Sequence, residues 1–132
     1  MKSAIFRFFF TVVLALPLSQ VANAADVVVI SHPGITISAS EVRDVFLGEH
    51  QLASGTKLIP VDNAALQESF LSKIMRMDAA KYNGIWIKKS FRDGLNQPSV
   101  MSGDAAVTDY VKRTPGAIGY VSGAPEGVNV VR

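Results

Sequence analysis

Residues 26–31 (DVVVIS) place three valines and an isoleucine in an unbroken run, and this run limits the possible folds more than any other segment. Consecutive β-branched residues favour a strand, and a strand without polar alternation is buried on both of its faces. Helices must therefore cover the sheet from two sides. The run predicts a layered α/β domain.

Local signals predict one helix and one further strand directly after this run. Ser38 and Glu41 have the spacing of a capping box, which predicts a helix start, and Gly48 is placed to end that helix. A second strand is predicted over residues 57–61 (KLIPV). Because proline has no N–H to donate, Pro60 indicates either a sheet edge or the end of a strand.

The second half of the chain predicts more helices and strands. Leu66, Phe70 and Ile74 recur every four residues and share one side of a helix, whose N-cap is Asp62 or Asn63. The later elements are a helix capped by Asp78 with Tyr82, Ile85 and Trp86 on its buried side, a loop or brief extended piece over 91–103, a helix that begins at Ser102 or Asp104, and strands over 117–121 and 128–131. This order predicts a single layered domain with a mixed sheet flanked by helices.

The N-terminal segment has the composition of an export signal. Basic residues precede an apolar run over residues 8–18, and small residues follow at 22–24 (ANA). This order predicts a secretory signal peptide over residues 1–24 and a mature periplasmic domain over residues 25–132. The apolar run is shorter than the roughly 20 residues that span a bilayer. We therefore expect no stable membrane anchor after cleavage.

The charge balance changes once the signal is removed. The chain carries 13 Lys and Arg residues against 11 Asp and Glu residues, and loss of Lys2 and Arg7 leaves a formally neutral mature domain. Nucleic-acid binding depends on cations that neutralise phosphates, so a neutral domain lacks that general attraction. The basic clusters at 88–92 and 112–113 lie near predicted helix ends, where cations face solvent. We expect no nucleic-acid partner.

Motifs of catalysis and of metal binding are missing from the sequence. There is no Gly-rich phosphate loop, no nucleophile elbow around Ser31 or Ser69, and no HExxH motif. The chain has no cysteine, and His32 and His50 stand without a carboxylate at a recognised ligand spacing. These absences predict that the protein is not an enzyme and uses neither a metal nor another cofactor.

The turn after the second predicted strand is the candidate ligand site. Free N–H groups and the positive end of the dipole at a helix start favour phosphate-like anions. We predict that Asn63, Ala64 and Gln67 contact an anion at this turn, with Ser31 as a more distant candidate. The competing interpretation is simple capping, in which the Asp62 carboxylate binds the same N–H groups.

Four segments resemble the periplasmic phosphate-binding proteins of ABC transporters. They are 38–48, which ends VFLG, 58–61, 86–91 and 115–121 (PGAIGYV), and in their order and spacing they extend the resemblance over nearly all of the mature chain. Full-length members of that family have two lobes that close around phosphate, and this chain resembles only the second lobe. The resemblance implies the fold of one lobe of a type II periplasmic binding protein.

The resemblance also implies where an anion would bind. The family builds its phosphate site around a Ser-Gly-Thr turn that opens a helix, and at the matching place this sequence has residues 62–66 (DNAAL). One hypothesis is a solute-binding-protein-like domain related to phosphate transport, which binds phosphate or another small oxyanion. The alternative is an accessory or protein-interaction module of an envelope complex with a degenerate ligand site. Its partner would be a second periplasmic protein or a second copy of the chain.

Overall fold

The structure, a computed structural model, describes residues 26–132 of the chain. The predicted signal peptide over residues 1–24 lies outside the described residues. In the part of the chain that is described, a helix with the length and hydropathy of a membrane span is not found.

Helices and strands alternate along the described residues, and their bounds follow in chain order. The strands are β1 (Val28–Ser31), β2 (Leu52–Ala53), β3 (Thr56–Lys57), β4 (Ile59–Asn63), β5 (Ser99–Met101), β6 (Ala117–Val121) and β7 (Asn129–Val130). The helices are α1 (Val42–Phe46), which follows a 3₁₀ turn (Ala39–Glu41), α2 (Gln67–Phe70), which continues into a π-helical turn (Leu71–Met75), α3 (Ala79–Asp93) and α4 (Asp104–Arg113).

Within residues 26–132, five strands form one mixed sheet in the order β5-β4-β6-β1-β7. β4 is parallel to both of its neighbours, β5 and β6, whereas β1 is antiparallel to β6 and to β7. β2 and β3 form a separate hairpin. The predicted class, a single layered α/β domain with a mixed sheet flanked by helices, is confirmed.

Both faces of the sheet are covered, as the valine run predicts. The first three helices cover one face, where Phe46 and Phe70 are buried against Tyr120 of β6. α4 covers the other face, where Val107 packs in a smaller cluster with Val61. We call these the aromatic face and the α4 face. Because side chains alternate along a strand, neighbouring residues of β4 point to different faces.

β4 differs from its prediction in both its bounds and its place in the sheet. It begins two residues later than predicted and lies between β5 and β6. Pro60 is tolerated there because the N–H of Ile59 donates towards β6, which turns the proline nitrogen to the other side. On that side β5 pairs with β4 only from Val61 onward. Pro60 is the second residue of β4, beside the start of the strand, and it does not mark a sheet edge.

The predicted helix boundaries agree with the structure in part. Asp78 caps α3, since its carboxylate accepts from the N–H of Lys81 at 2.8 Å, and Gly48 follows α1 with φ +72°. Ser38 does not form the predicted capping box, because its hydroxyl donates to the Glu41 carboxylate and makes no bond to a helix N–H. The first helix therefore starts as a 3₁₀ turn.

Lys89 departs from the prediction that its basic cluster faces solvent. It lies on the buried side of α3 beside Trp86, with its Nζ 5.9 Å from the centre of the indole ring. The ammonium donates to the Leu47 carbonyl and lies 3.0 Å from the Glu49 carboxylate. Burial of an ammonium is costly unless it is paired, and here it is paired. Lys89 therefore holds the loop after α1 against α3.

Candidate functional site

The candidate site lies where β4 ends and the chain turns into α2. The last two residues of β4, Asp62 and Asn63, are both buried. They point to opposite faces of the sheet, because strand residues alternate. Asp62 joins the aromatic face, and Asn63 reaches the start of α4. The site thus connects the two halves of the core.

Two tyrosine hydroxyls hold the Asp62 carboxylate inside the aromatic face. Tyr82 of α3 donates to Oδ2 at 2.8 Å, and Tyr120 of β6 donates to Oδ1 at 2.8 Å. The carboxylate therefore points into the core, and α2 begins without a side-chain cap. The prediction that Asp62 caps this helix is wrong, and the reason is the pair of tyrosines.

Burial sets the protonation behaviour of this group. Burial raises the pKa of Asp62 above its ordinary value, although hydrogen bonds from Tyr82, Tyr120 and Gln67 oppose the shift. Burial and the nearby carboxylate also raise the pKa of both tyrosines, so their hydroxyls remain protonated donors. The cluster is saturated internally, which makes it a structural element of the core and removes it from contact with a dissolved ligand.

Asn63 uses its whole amide group within the protein. Its Nδ2 donates to Asp104 Oδ1 at 2.8 Å and to the Tyr120 carbonyl at 3.0 Å. Its Oδ1 accepts from the N–H of Ala65 at 3.0 Å. An amide nitrogen has two hydrogens to donate, and both are used here. Asn63 therefore fixes the turn and the first residue of α4, which explains why an amide ends a buried strand.

Asp104 places a second carboxylate next to the turn. Ser122 donates to Asp104 Oδ2 through its N–H at 3.1 Å and through its hydroxyl. Burial acts to raise the pKa of Asp104, but the bonds from Ser122 and Asn63 outweigh it, and the pKa lies below the ordinary value. A charged carboxylate at this position repels an anion that approaches the turn.

The backbone N–H groups of the turn already have acceptors. Ala64 donates to the Met101 carbonyl of β5 at 2.9 Å, and Leu66 donates to the Asn63 carbonyl at 3.0 Å. Ala65 donates to the Asn63 side chain. These three groups lie directly before Gln67, the first residue of α2, where an anion at the turn would approach. At this turn the chain satisfies them by itself.

The structure brings together three of the four predicted anion contacts. Asn63, Ala64 and Gln67 are near neighbours at the turn, and their contact with an anion stays a prediction. Ser31 pairs with Ile118, which is aligned with Pro60 at the far end of β4. Three residues of strand correspond to about 10 Å, so Ser31 lies at the opposite end of the sheet. Its hydroxyl is buried and directed at the Ile35 carbonyl at 3.5 Å.

A groove of about 390 Å³ lies at the start of β4, away from the turn. Its walls include Pro60, Trp86 and Leu95, and its ionisable lining residues are His50 and Lys57. Sequence reasoning did not find it because residues 94–98, which form one wall, carry no periodic pattern. Among the described residues, no cluster of His, Asp or Glu is arranged to hold a metal ion.

Comparison with known proteins bears on the fold. No protein-family model matches the sequence, and no curated protein matches it. Among solved structures, a phosphate ABC transporter substrate-binding protein from Clostridium perfringens, with bound phosphate, is 14% identical with a TM-score of 0.52. An ABC-type phosphate transport receptor from Vibrio cholerae is 10% identical with a TM-score of 0.52, and PstS from Borrelia burgdorferi is 14% identical with a TM-score of 0.55.

These alignments cover most of this chain and about half of each neighbour. They span 83%, 83% and 81% of this chain, and 46%, 47% and 46% of the three neighbours respectively. At 10–14% identity, the likeness shows the fold alone. The chain has the fold of one lobe of a periplasmic binding protein, with a five-stranded mixed sheet between helices in its described residues.

Proposed function

We propose that this chain is an exported, non-enzymatic domain of the solute-binding-protein type that acts as an accessory, protein-interaction module of an envelope complex. In this proposal, its counterpart of the phosphate site is closed by hydrogen bonds within the chain itself. The work of the domain is then to contact another periplasmic protein, and solitary capture of phosphate is not its role.

One observation carries this proposal. At the turn into α2, the N–H groups of Ala64, Ala65 and Leu66 all donate to acceptors of the same chain. The charged Asp104 stands beside them. An anion would have to displace these bonds and overcome the repulsion. The Asn63 amide is used as well, so it offers no further donor to offset either step.

The extent of the lobe supports the same proposal. A ligand pocket gains affinity by burying most of the surface of its ligand. A single lobe forms only one wall of such a pocket and leaves a bound anion largely hydrated. The chain corresponds to about half of each binding protein that it resembles. A second wall would have to come from another protein or from a second copy. The surface that faces such a wall is then a protein interface.

Binding of phosphate or another small oxyanion is the second candidate function. The likeness to a transporter protein with bound phosphate favours it, because the same lobe architecture is present. The contacts would come from Ala64 and Gln67, which would first have to give up their hydrogen bonds to Met101 and Asp62, with a partner that supplies the second wall. This function requires Asp104 to move or to become protonated.

Calorimetry with inorganic phosphate and with sulfate on the purified protein separates these functions. We expect no heat and no shift of the thermal midpoint at millimolar anion, because a ligand that binds the folded state raises the midpoint. Gln67→Ala is the matched variant. Heat from the wild type that weakens in Gln67→Ala would establish the anion function and overturn the proposal.

Affinity capture from an envelope extract tests the positive half of the proposal. We expect the protein to be recovered in a stable complex and its N-terminus to begin at residue 25 after export. Recovery only as a free monomer that binds phosphate tightly would contradict it. A mature protein that retains residues 1–24 would contradict export through a cleaved signal.

A further inference from the structure

The outward side of α3 carries an apolar stripe that the fold does not use. Ala80, Gly84, Ile87 and Phe91 follow one another at intervals of four, three and four residues, which places them in one line along the helix. Ile87 is 59% exposed and Phe91 is 89% exposed. We call this line the α3 stripe. From Ala80 to Phe91 it is about 16 Å long.

The opposite side of α3 accounts for how the helix is held in the domain. Tyr82, Trp86 and Lys89 are buried on that side and bond to the sheet, to the last residue of α1 and to the loop after α1, respectively. The α3 stripe therefore contributes nothing to the core. A single exposed apolar residue is ordinary, but a line with the spacing of a coiled-coil seam is the pattern of a helix that packs against another helix.

Cations line one edge of the stripe. Lys81, Lys88 and Arg92 each come directly after a stripe residue, so they project on the same side of the line, and all three are exposed. Of the four Lys and Arg residues of the helix, Lys89 is buried on the other side and paired with Glu49, and Arg92 pairs with Asp93, so Lys81 and Lys88 provide the cationic edge. The domain as a whole is neutral, so this helix is a local cationic surface. An acidic partner is its electrostatic complement.

The other edge of the stripe is neutral and fixed in place. Asn83 and Ser90 stand directly before stripe residues, and both are tied to the loop after α3. Gln97 donates to Asn83 at 2.9 Å, and Ser90 donates to the Leu95 carbonyl at 2.9 Å. The stripe thus has one charged edge and one uncharged wall, which gives a docked helix a preferred lateral position.

The size of the side chains changes along the α3 stripe. Its N-terminal half consists of the small residues Ala80 and Gly84, and a Cβ placed on Gly84 would meet no atom within 4 Å. Its C-terminal half consists of the large side chains Ile87 and Phe91. A partner helix can approach closely at the small residues while the large ones fill its grooves.

We propose that the α3 stripe docks an amphipathic helix of a partner protein, one with an apolar stripe of its own and acidic side chains along the edge that meets Lys81 and Lys88. This inference rests on the proposed function as an interaction module and names the kind of partner. The apolar contact would supply affinity, and the charged edge would select the partner and its orientation.

A second copy of the chain fits this surface less well. In an antiparallel pair of α3 helices, Ala80 would meet Phe91 and Gly84 would meet Ile87, which suits their sizes. The same arrangement brings Lys81 against Lys88 of the other copy, because equivalent edge positions face each other in antiparallel pairs. Repulsion between these facing lysines disfavours the pair.

An anionic lipid surface also fits less well. Membrane binding by a helix scales with the apolar area inserted, and here half of the stripe is Ala80 and Gly84. Only Ile87 and Phe91 would enter the bilayer. Cations on both sides of an apolar stripe suit a lipid surface, whereas α3 has them on one side.

Synthetic peptides test the proposal on the whole purified protein. The first probe is a three-heptad peptide with Leu at a and d and Glu at e and g, and its matched partner has Lys in place of Glu. Each carries too much like charge to pair with itself at neutral pH. Binding is followed by fluorescence anisotropy of the labelled peptide. We expect the wild type to bind the Glu peptide and not the Lys peptide.

Three variants locate the binding. Phe91→Ser should weaken binding of the Glu peptide by about tenfold or more, because a large apolar anchor is lost. Lys88→Glu should lose the Glu peptide and gain the Lys peptide. Leu52→Ser removes an apolar side chain, 60% exposed on the β2–β3 hairpin, and should leave binding unchanged. All three positions are exposed, so thermal midpoints should stay close to that of the wild type.

Four results would overturn the proposal. They are failure of the wild type to bind the Glu peptide at millimolar concentration, equal binding by Phe91→Ser, capture by phosphatidylglycerol vesicles without peptide binding, and self-association in sedimentation that Phe91→Ser abolishes. The proposed function is tested separately. An envelope complex captured equally by the wild type and Phe91→Ser would leave that function standing and remove the α3 stripe from it.

Discussion

The two faces of the sheet are packed with different kinds of side chain. On the aromatic face, Phe70 and Tyr120 stack with ring centres 3.9 Å apart, and Phe46 packs at 4.7 Å from Phe70. On the α4 face, Val107 and Val111 approach the sheet over Gly119. Large rings fill the aromatic face. On the α4 face, Gly119 has no side chain, which lets α4 lie close to the sheet.

This difference explains where a polar group can be buried. The aromatic face contains Asp62 because rings that pack there also bring hydroxyl donors, Tyr82 and Tyr120, to its two oxygens. The α4 face has aliphatic side chains at its centre and places its carboxylate, Asp104, at the rim, where Ser122 donates to it. A carboxylate can be buried where hydrogen-bond donors reach it, and on the aromatic face those donors are hydroxyls of the packed rings.

The largest expected effect comes from removing an aromatic ring. Phe70→Ala should lower the free energy of unfolding by about 3–5 kcal/mol, because it deletes a fully buried ring and leaves a cavity between two others. Val107→Ala on the α4 face should cost about 2 kcal/mol, since fewer methyl groups are lost. Urea unfolding measures both. Equal costs for the two variants would contradict the comparison between the faces.

The next effect tests the close approach on the α4 face. A Cβ on Gly119 would lie 2.6 Å from Val107 Cγ1 and 3.2 Å from Val61 Cγ2, so Gly119→Ala should destabilise the protein by about 1–3 kcal/mol. Gly84→Ala is the control, because its Cβ enters open space inside a helix. That variant should be stabilised by about 0.5–1 kcal/mol. An unchanged free energy of unfolding for Gly119→Ala would show that α4 can shift away from the sheet without cost.

The sequence predicts most of the layered fold because its signals are local. The run over residues 26–31, the Asp78 cap and the strand over 117–121 all depend on neighbouring residues, and all three are present in the structure. The sequence also contains a local signal for the β2–β3 hairpin. Its turn is Ser54-Gly55, with φ of 49° and 80°, and a Ser-Gly pair between short extended segments is a hairpin signal.

The candidate site was less predictable because its bonds are long-range. Asp62 looks like a helix cap in its local sequence, yet its partners lie 20 and 58 residues away. Ser31 ends the first strand and is grouped with the turn in the sequence-based prediction, whereas the antiparallel pairing of β1 with β6 places it at the opposite end of the sheet. Strand order and direction decide both cases, and no local pattern encodes them.

The smallest effect is a difference in pH dependence between the two carboxylates. The pKa of Asp62 is raised in the folded state, so the folded protein holds this proton above the ordinary aspartate value of about 3.9, and stability falls as pH rises through the raised pKa. The pKa of Asp104 is lowered, so its contribution is present above the ordinary value and is lost as pH falls through the lowered pKa.

Thermal midpoints measured from about pH 3 to about pH 7 separate these contributions. Asp62→Asn should flatten the profile on the side above the ordinary aspartate value, because the neutral amide keeps the shape and never ionises. Asp104→Asn should flatten it on the acid side. The two windows do not overlap, so each variant serves as the control for the other. A wild-type profile that rises steadily with pH, unchanged by Asp62→Asn, would mean that the tyrosine hydroxyls stabilise the charged carboxylate more than burial penalises it.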